Sequence, residues 1–238
     1  MTRIDALCFD ANDPQELSRF WGEFLGWERT DEVDGPAVLP ADDTGFRLRF
    51  LPTEATKSRQ NQMHFDLTSR TPETQQETVD RALALGARHI DIGQRPEERH
   101  VVLADPEGNE FCVIPAGNSF LAGCPFIGAV SSDGSQAVGY FWSKALDWPL
   151  VWDQDEETAI RSPHGGPKVT WGGPPVAPKH GRNRLHFDLA VPSGGAPASA
   201  ADRLVSLGAA RADTAPCAPG WIAMTDPDGN EFCLRPAR

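Results

Sequence analysis

The sequence predicts an α+β fold of four βαβββ modules arranged as an internal duplication. Two observations carry this reading: long collinear matches recur at one offset, and within each half a strand, a helix and a run of short strands occur twice. Phe20-Trp21, Leu25 and Trp27 return 121 residues on as Phe141-Trp142, Leu146 and Trp148. The run HFDL at 64–67 returns at 186–189, and Asp80-Arg81 and Leu85-Gly86-Ala87 return at that same spacing as Asp202-Arg203 and Leu207-Gly208-Ala209. DPEGNEFC at 105–112 returns as DPDGNEFC at 226–233. The matches divide the chain into a first domain of residues 1–117, a linker of residues 118–125 interrupted by Gly123 and Pro125, and a second domain of residues 126–238.

The elements follow in order. Residues 4–10 read as a strand, and Asp13-Pro14 reads as an N-cap followed by proline at the first helical position. The helix runs to Gly26, with Leu17, Phe20, Trp21, Phe24 and Leu25 on one stripe. Strands are expected near 37–40 and at 46–51, the latter alternating Phe46, Leu48 and Phe50 with Arg47 and Arg49. The next module opens with a strand at 62–68, and Thr71-Pro72 caps a helix that closes at Gly86. Strands near 88–92, 100–104 and 109–114 complete it. Asp105-Pro106 with Gly108-Asn109, and Asp226-Pro227 with Gly229-Asn230, read as turns whose glycines need positive φ. Trp21 and Trp142 lie on helix stripes and read as core, whereas Trp27, Trp148, Trp152, Trp171 and Trp221 are free to wall a binding site.

Composition narrows the function classes. A chain of 238 residues, 39% hydrophobic and 24% charged, is an ordinary globular sequence long enough for two small cores. No apolar run approaches the roughly 18 residues that span a bilayer, and Met1-Thr2-Arg3-Ile4-Asp5 lacks the basic-then-apolar order of a signal peptide, so a cytoplasmic location is expected. Cysteines at 8, 112, 124, 217 and 233 form no CxxC pair and are odd in number, which favours reduced thiols. A net charge of −12 argues against nucleic acid or an anionic membrane as partner. A small-molecule ligand or substrate is the partner expected. Self-association is not required, because each copy supplies the interface a single-copy protein would obtain by dimerising.

Strand parity selects the candidate site. Along 62–67, Met63, Phe65 and Leu67 belong under a helix, which leaves His64 and Asp66 on the opposite face; Leu185, Phe187 and Leu189 leave His186 and Asp188 there. In the last strand of each copy Phe111 and Phe232 are the core residues, opposed by Glu110 and Cys112, and by Glu231 and Cys233. One face of each sheet thus gathers a His, a Glu and a Cys, types that bind metals or move protons. Blander readings stand beside this: a strand histidine bonded to a neighbour, a carboxylate held by backbone N–H groups or a cation after its turn, and cysteines as small buried hydrophobes. His89, His100, His164 and His180 have no counterpart in the other copy and read as surface.

The strand-initial HFDL, the LGA closing the helix and the DPxGN turn opening the last strand resemble the vicinal oxygen chelate superfamily, which includes glyoxalase I, extradiol dioxygenases and bleomycin-resistance proteins. The FW…LGW helix with HFDL and GNEFC is most similar to its glyoxalase-like branch. The resemblance covers nearly the whole chain. It implies that modules pair to curl two eight-stranded sheets into half-barrel cups holding a ligand, often with a divalent metal. Metal-binding members typically place His or Glu at the third residue of the first strand, Glu late in the fourth, His at the start of the next module and Glu in the last strand. Those positions carry Ala6 and Ala129; Arg47 or Arg49, and Lys168 or Thr170; His64 and His186; and Cys112 and Cys233. Whether modules pair within a copy or between copies, the usual four-ligand set is incomplete, so no cofactor is expected, with a divalent metal held by fewer protein ligands left open.

Three functions remain open. The first is a lyase, isomerase or oxygenase-type enzyme using His64 or His186 with Glu110 or Glu231 as acid and base, and Arg47, Arg49, Cys112 and Cys233 as ligand contacts. The second is a protein that sequesters an aromatic or antibiotic-like ligand without turnover, as the resemblance to bleomycin-resistance proteins implies. The third is a structural duplicate with vestigial cups.

Overall fold

A computed structural model describes residues 2–95, 97–213 and 217–236. The first module comprises β1 (Arg3–Ala11), α1 (Pro14–Leu25), β2 (Glu28–Glu32), β3 (Gly35–Leu39) and β4 (Arg47–Pro52). The second comprises β5 (Met63–Leu67), α2 (Pro72–Ala84), β6 (Arg88–His89), β7 (Val101–Ala104) and β8 (Glu110–Val113). The third has β9 (Ile127–Ser132), α3 (Gln136–Leu146), β10 (Leu150–Gln154), β11 (Glu157–Arg161) and β12 (Lys168–Trp171). The fourth has β13 (Leu185–Ala190), α4 (Pro197–Ser206), β14 (Ala210–Arg211), β15 (Ile222–Thr225) and β16 (Glu231–Arg235).

Local chemistry sets the helix ends as the sequence leads one to expect. The Asp13 carboxylate accepts the Glu16 N–H at 2.9 Å at the start of α1, and Gly26 ends the helix at φ 70°. Thr71 and Thr74 form a reciprocal cap on α2. Strand β2 has no sequence signal because Glu28-Arg29-Thr30-Asp31-Glu32 carries no apolar alternation; it lies at a sheet edge, where only one side must pair.

The strands form two eight-stranded sheets, and neither belongs to one copy. Sheet A runs β14-β15-β16-β13-β1-β4-β3-β2 and sheet B runs β10-β11-β12-β9-β5-β8-β7-β6. Module one therefore pairs with module four, and module two with module three. The seams are antiparallel: β1 meets β13 with Leu7 opposite Phe187 and Cys8 opposite His186, and β5 meets β9 with His64 opposite Ser131.

Packing runs the other way, within a copy. Helix α1 lies over β3 and β4 of its own module, while its Trp21 ring packs edge-on, centroids 5.3 Å apart, against both Phe65 and Phe111 of sheet B. Trp142 of α3 makes the same contacts with Phe187 at 5.6 Å and Phe232 at 5.1 Å in sheet A. Each indole N–H donates to a buried turn aspartate, Trp21 to Asp105 at 3.1 Å and Trp142 to Asp226 at 3.2 Å. Asp105 also accepts the backbone N–H groups of Glu107 and Asn109, so one carboxylate shapes the turn and anchors the helix. The repeated Phe-Trp and Asp-Pro motifs thus recur because they meet. Deleting such a ring from a close-packed core costs about 3–5 kcal/mol.

Two corrections concern cysteine. Cys217 and Cys233 form a disulfide, with Cα atoms 5.6 Å apart, whereas Cys8, Cys112 and Cys124 are free. Sixteen residues separate the pair along the chain, and only the fold-back of β15 onto β16 brings them together. Cys233 is thereby removed as a free thiol. Among the described residues no helix is long and apolar enough to cross a membrane.

Because strand pairing is exchanged between copies, residues 1–117 alone would keep β1 on β4 and β5 on β8 but leave the other edge of each unpaired. Sedimentation should find the full chain as a 25.9 kDa monomer, and the 1–117 fragment associating as a dimer that pairs β1 of one molecule with β5 of the other. A folded, monomeric fragment would count against this interdependence.

Candidate functional site

The concave face of sheet B is built by alternation. With Met63, Phe65 and Leu67 buried against the core, His64 and Asp66 project from β5 the other way, beside Cys112 of β8, Ala129 and Ser131 of β9 and Thr170 of β12. Asp66 is the hub: one carboxylate oxygen accepts the Ser131 hydroxyl at 2.5 Å and the other lies 3.5 Å from His64 Nε2. Burial opposes charge on His64, but the hydrogen bond and charge of Asp66, with a contribution from Cys112, outweigh it and carry the imidazole up to about 10. Burial pushes the Cys112 thiol up.

A cavity of about 900 Å³ opens in front of this cluster, with His64, Ser131 and Thr170 on its wall. Trp152 of β10 and Phe120 form an edge-to-face pair there, centroids 5.7 Å apart. Phe120 belongs to the segment between the copies. It is held by Lys168, whose ammonium donates to the Phe120 carbonyl at 2.5 Å and stands 4.0 Å over its ring. The linker expected from sequence is therefore also part of the wall.

The corresponding face of sheet A is closed by its own side chains. Arg49 donates to Asp188 at 2.6 Å, lies 3.3 Å from both Glu32 and Asp34, and stacks 5.3 Å from the Trp221 ring. Arg47 pairs with Asp5 at 2.9 Å and Glu32 at 2.8 Å. Both arginines are spent on internal carboxylates, so neither offers the open charge expected of a ligand contact. His186 is 1% exposed, and neither ring nitrogen has a hydrogen-bond partner. Burial, reinforced by Arg182 and Arg49, lowers its imidazole to about 3. The equivalent histidines thus shift in opposite directions: Asp66 is shared by His64 with only a neutral hydroxyl, whereas Asp188, 3.8 Å from His186, is held by Arg49.

Glu110 and Glu231 have a different employment from the acid–base role expected of them. Glu110 receives the Lys57 ammonium at 2.5 Å and the Asn61 N–H at 3.1 Å, and the Asn61 amide bonds Asn109 at 2.8 Å. The second copy repeats this: Lys179 to Glu231 at 2.8 Å, Asn183 N–H to Glu231 at 3.3 Å and the Asn183 amide to Asn230 at 3.0 Å. These glutamates moor two straps, residues 53–62 and 175–184, which flank the cavity and touch where the Asn183 amide donates to Gln62. Lys57 with Asn61 and Lys179 with Asn183 recur at the same offset as HFDL, a signal that sequence reasoning passed over. His180 is exposed, as its sequence reading expects, and also stands on the cavity wall.

The model of the glyoxalase-like domain matches residues 6–114 and again 129–235. The chain belongs to the glyoxalase-like domain family. Among solved structures, a mutant of glyoxalase I from Zea mays superposes with a TM-score of 0.65 at 14% identity, covering 99% of this chain and 94% of that one. Wild-type glyoxalase I from Zea mays gives 0.63 at 14% identity, covering 98% and 92%. A putative dioxygenase from Bacillus subtilis gives 0.62 at 13% identity, covering 98% and 84%. At such identities the likeness is one of fold. No curated protein matches the sequence.

The divalent metal that the superfamily resemblance implies can be tested against the donors of this glyoxalase-like chain. In sheet B the donors His64, Asp66 and Cys112 lie within 4.8 Å of one another, but all come from one module. The facing module offers Ala129, Thr170 and Ser131, whose hydroxyl is already given to Asp66. In sheet A, Cys8, His186 and Asp188 lie as close, yet Arg49 holds Asp188, Ala6 offers no ligand and Cys233 is oxidised. Neither donor set fits a four-ligand ion. Elemental analysis of the purified protein should give well under one zinc, nickel, iron or manganese per chain; one tightly held equivalent would overturn this reading.

The histidines predict opposite pH responses. His64, raised from the usual 6.5 to about 10, contributes stability that is complete below pH 6.5 and lost as pH climbs toward 10. His186, lowered from 6.5 to about 3, stays neutral when folded, so stability falls as pH drops from 6.5 toward 3 and the unfolded chain takes up the proton. Nitrogen NMR, assigned through His64→Asn and His186→Asn, should show an imidazolium for His64 at pH 8 and a neutral ring for His186 at pH 5.

Proposed function

We propose that this protein binds a small organic molecule in the sheet B cup and catalyses a lyase- or isomerase-type proton transfer on it without a resident metal. The observation that carries the reading is a charged imidazole, His64, facing an aromatic-walled cavity of about 900 Å³, while its counterpart His186 is sealed and neutral. An imidazolium held by a carboxylate and aimed at a substrate carbonyl donates its proton to the carbonyl oxygen while a solvent water takes the proton from the adjacent carbon; the enol then returns its O–H proton to the neutral ring as solvent reprotonates the carbon. Asp66 orients the ring and sets its charge, and Ser131 fixes Asp66. Glu110 and Glu231 act as mooring points for the straps. The Trp152–Phe120 wall favours sequestration of an aromatic ligand without turnover as a second reading.

Exchange of the α-protons of a panel of aryl ketones and 2-oxo acids in D2O, followed by proton NMR, separates the two. At least one compound should exchange in the wild type, with the rate reduced about 10²–10⁴-fold in His64→Gln and binding retained. Binding with no exchange anywhere on the panel would leave the sequestering reading, and equal exchange in the variant would remove His64 from the chemistry.

A further inference from the structure

The cavity wall also indicates what kind of molecule it takes. Its apolar part is unusually open: Ile92 and Val176, two of the few large hydrophobic side chains left exposed, stand on the wall with Trp152 and Phe120. Removing a flat apolar body from water against such surfaces stabilises binding by about 25 cal/mol per Å² covered. The charged part is distributed unevenly. Lys57, Lys179, Arg182 and Arg184 all lie on the straps and each is paired, with Glu110, Glu231, Asp10 and Glu107 respectively. Arg59 differs. It lines the cavity from the first strap, its guanidinium reaches to within 4.0 Å of where a Cβ on Gly181 of the facing strap would lie, and no carboxylate among the described residues pairs with it. Of the wall's acidic groups, Asp10 and Glu110 are paired as above, Asp133 accepts the Ala177 N–H and Asp228 caps Ser135, which leaves Glu157 on the β10–β11 hairpin.

Resting on the proposed reading of this cup, we infer that its ligand is an amphipathic organic anion: a flat, largely aromatic body against Trp152 and Phe120, with a carboxylate or similar group directed to Arg59 between the straps. An always-charged, planar, unpaired guanidinium at the rim of an apolar cavity is suited to this pairing. Glycine at 181 leaves it room: the equivalent position in the first strap is Arg59 itself, and a long side chain at both places would crowd the gap.

Three probes of one shape test it: 2-naphthoate, 2-naphthalenemethanol and 2-naphthylmethylammonium, titrated by calorimetry into the full-length protein. The carboxylate should bind about two- to fivefold more tightly than the alcohol, as expected of a largely exposed charge pair, and the margin should shrink in 0.5 M salt, a concentration that shortens screening to a few ångströms, about 4 Å. Arg59→Gln should abolish the margin while leaving the alcohol's affinity unchanged, and Trp152→Leu should weaken both probes. Equal or tighter binding of the alcohol or the ammonium, a margin that survives Arg59→Gln, or no binding of any of the three overturns the inference. The proposed proton transfer is judged separately by the deuterium exchange of the wild type and His64→Gln.

Discussion

Everything in the site depends on the antiparallel pairing of β1 with β13 and of β5 with β9. Those two seams exchange partners between the copies, and they set which side chains face one another across each cup. His64 and Asp66 meet Ser131 and Ala129 because β5 is registered on β9; Cys8 meets His186 because β1 is registered on β13. A slip of one residue would turn every concave side chain into the core, where unpaired polar groups cost about 1–3 kcal/mol each. The seams are held from behind by within-copy packing, above all by Trp21 on Phe65 and Phe111 and its hydrogen bond to Asp105. Pairing and packing therefore interlock the copies from two directions.

Given one frame used twice, the difference between the cups comes down to one arginine and its neighbours. Arg49 extends over the face of sheet A and takes Asp188, with Glu32, Asp34 and Trp221 completing its surroundings. A charge buried this deeply is tolerable only when so fully paired. Its position leaves His186 in a field of cations and without a carboxylate of its own. In sheet B the place of Arg49 is held by Thr170, short and neutral, so Asp66 remains free for His64 and Ser131, and volume remains for a ligand.

Residues kept by both copies do not keep the same job. His64 and His186 share a position, each near the aspartate two residues on at 3.5 and 3.8 Å, yet they differ in exposure and in the direction in which their pKa is shifted. Cys112 stays a thiol beside His64 whereas Cys233 is bridged to Cys217. Glu110 and Glu231 do keep a common task, mooring a strap through a lysine and an asparagine. Retention at these glutamates reflects the turn and strap they organise, which is why a carboxylate in both halves was a weaker sign of chemistry than it looked.

The duplication, the module pattern, the helix caps, the core tryptophans and the face each strand presents were all legible in the sequence. They rest on local periodicity, turn chemistry and repetition, which act over a few residues or at a fixed offset. The polar edge strand β2, the Cys217–Cys233 bridge, the exchange of modules between copies and the closure of one cup were not. Each depends on which distant segments come together, and composition is silent on that. The open cup shows the division most clearly: alternation alone points His64 away from the helices, but its charge comes from Asp66 standing unclaimed by any arginine, and its cavity from Phe120, Trp152 and two straps drawn from both halves of the chain. Parity is a property of one strand, whereas charge and enclosure are properties of neighbours that only the tertiary structure supplies.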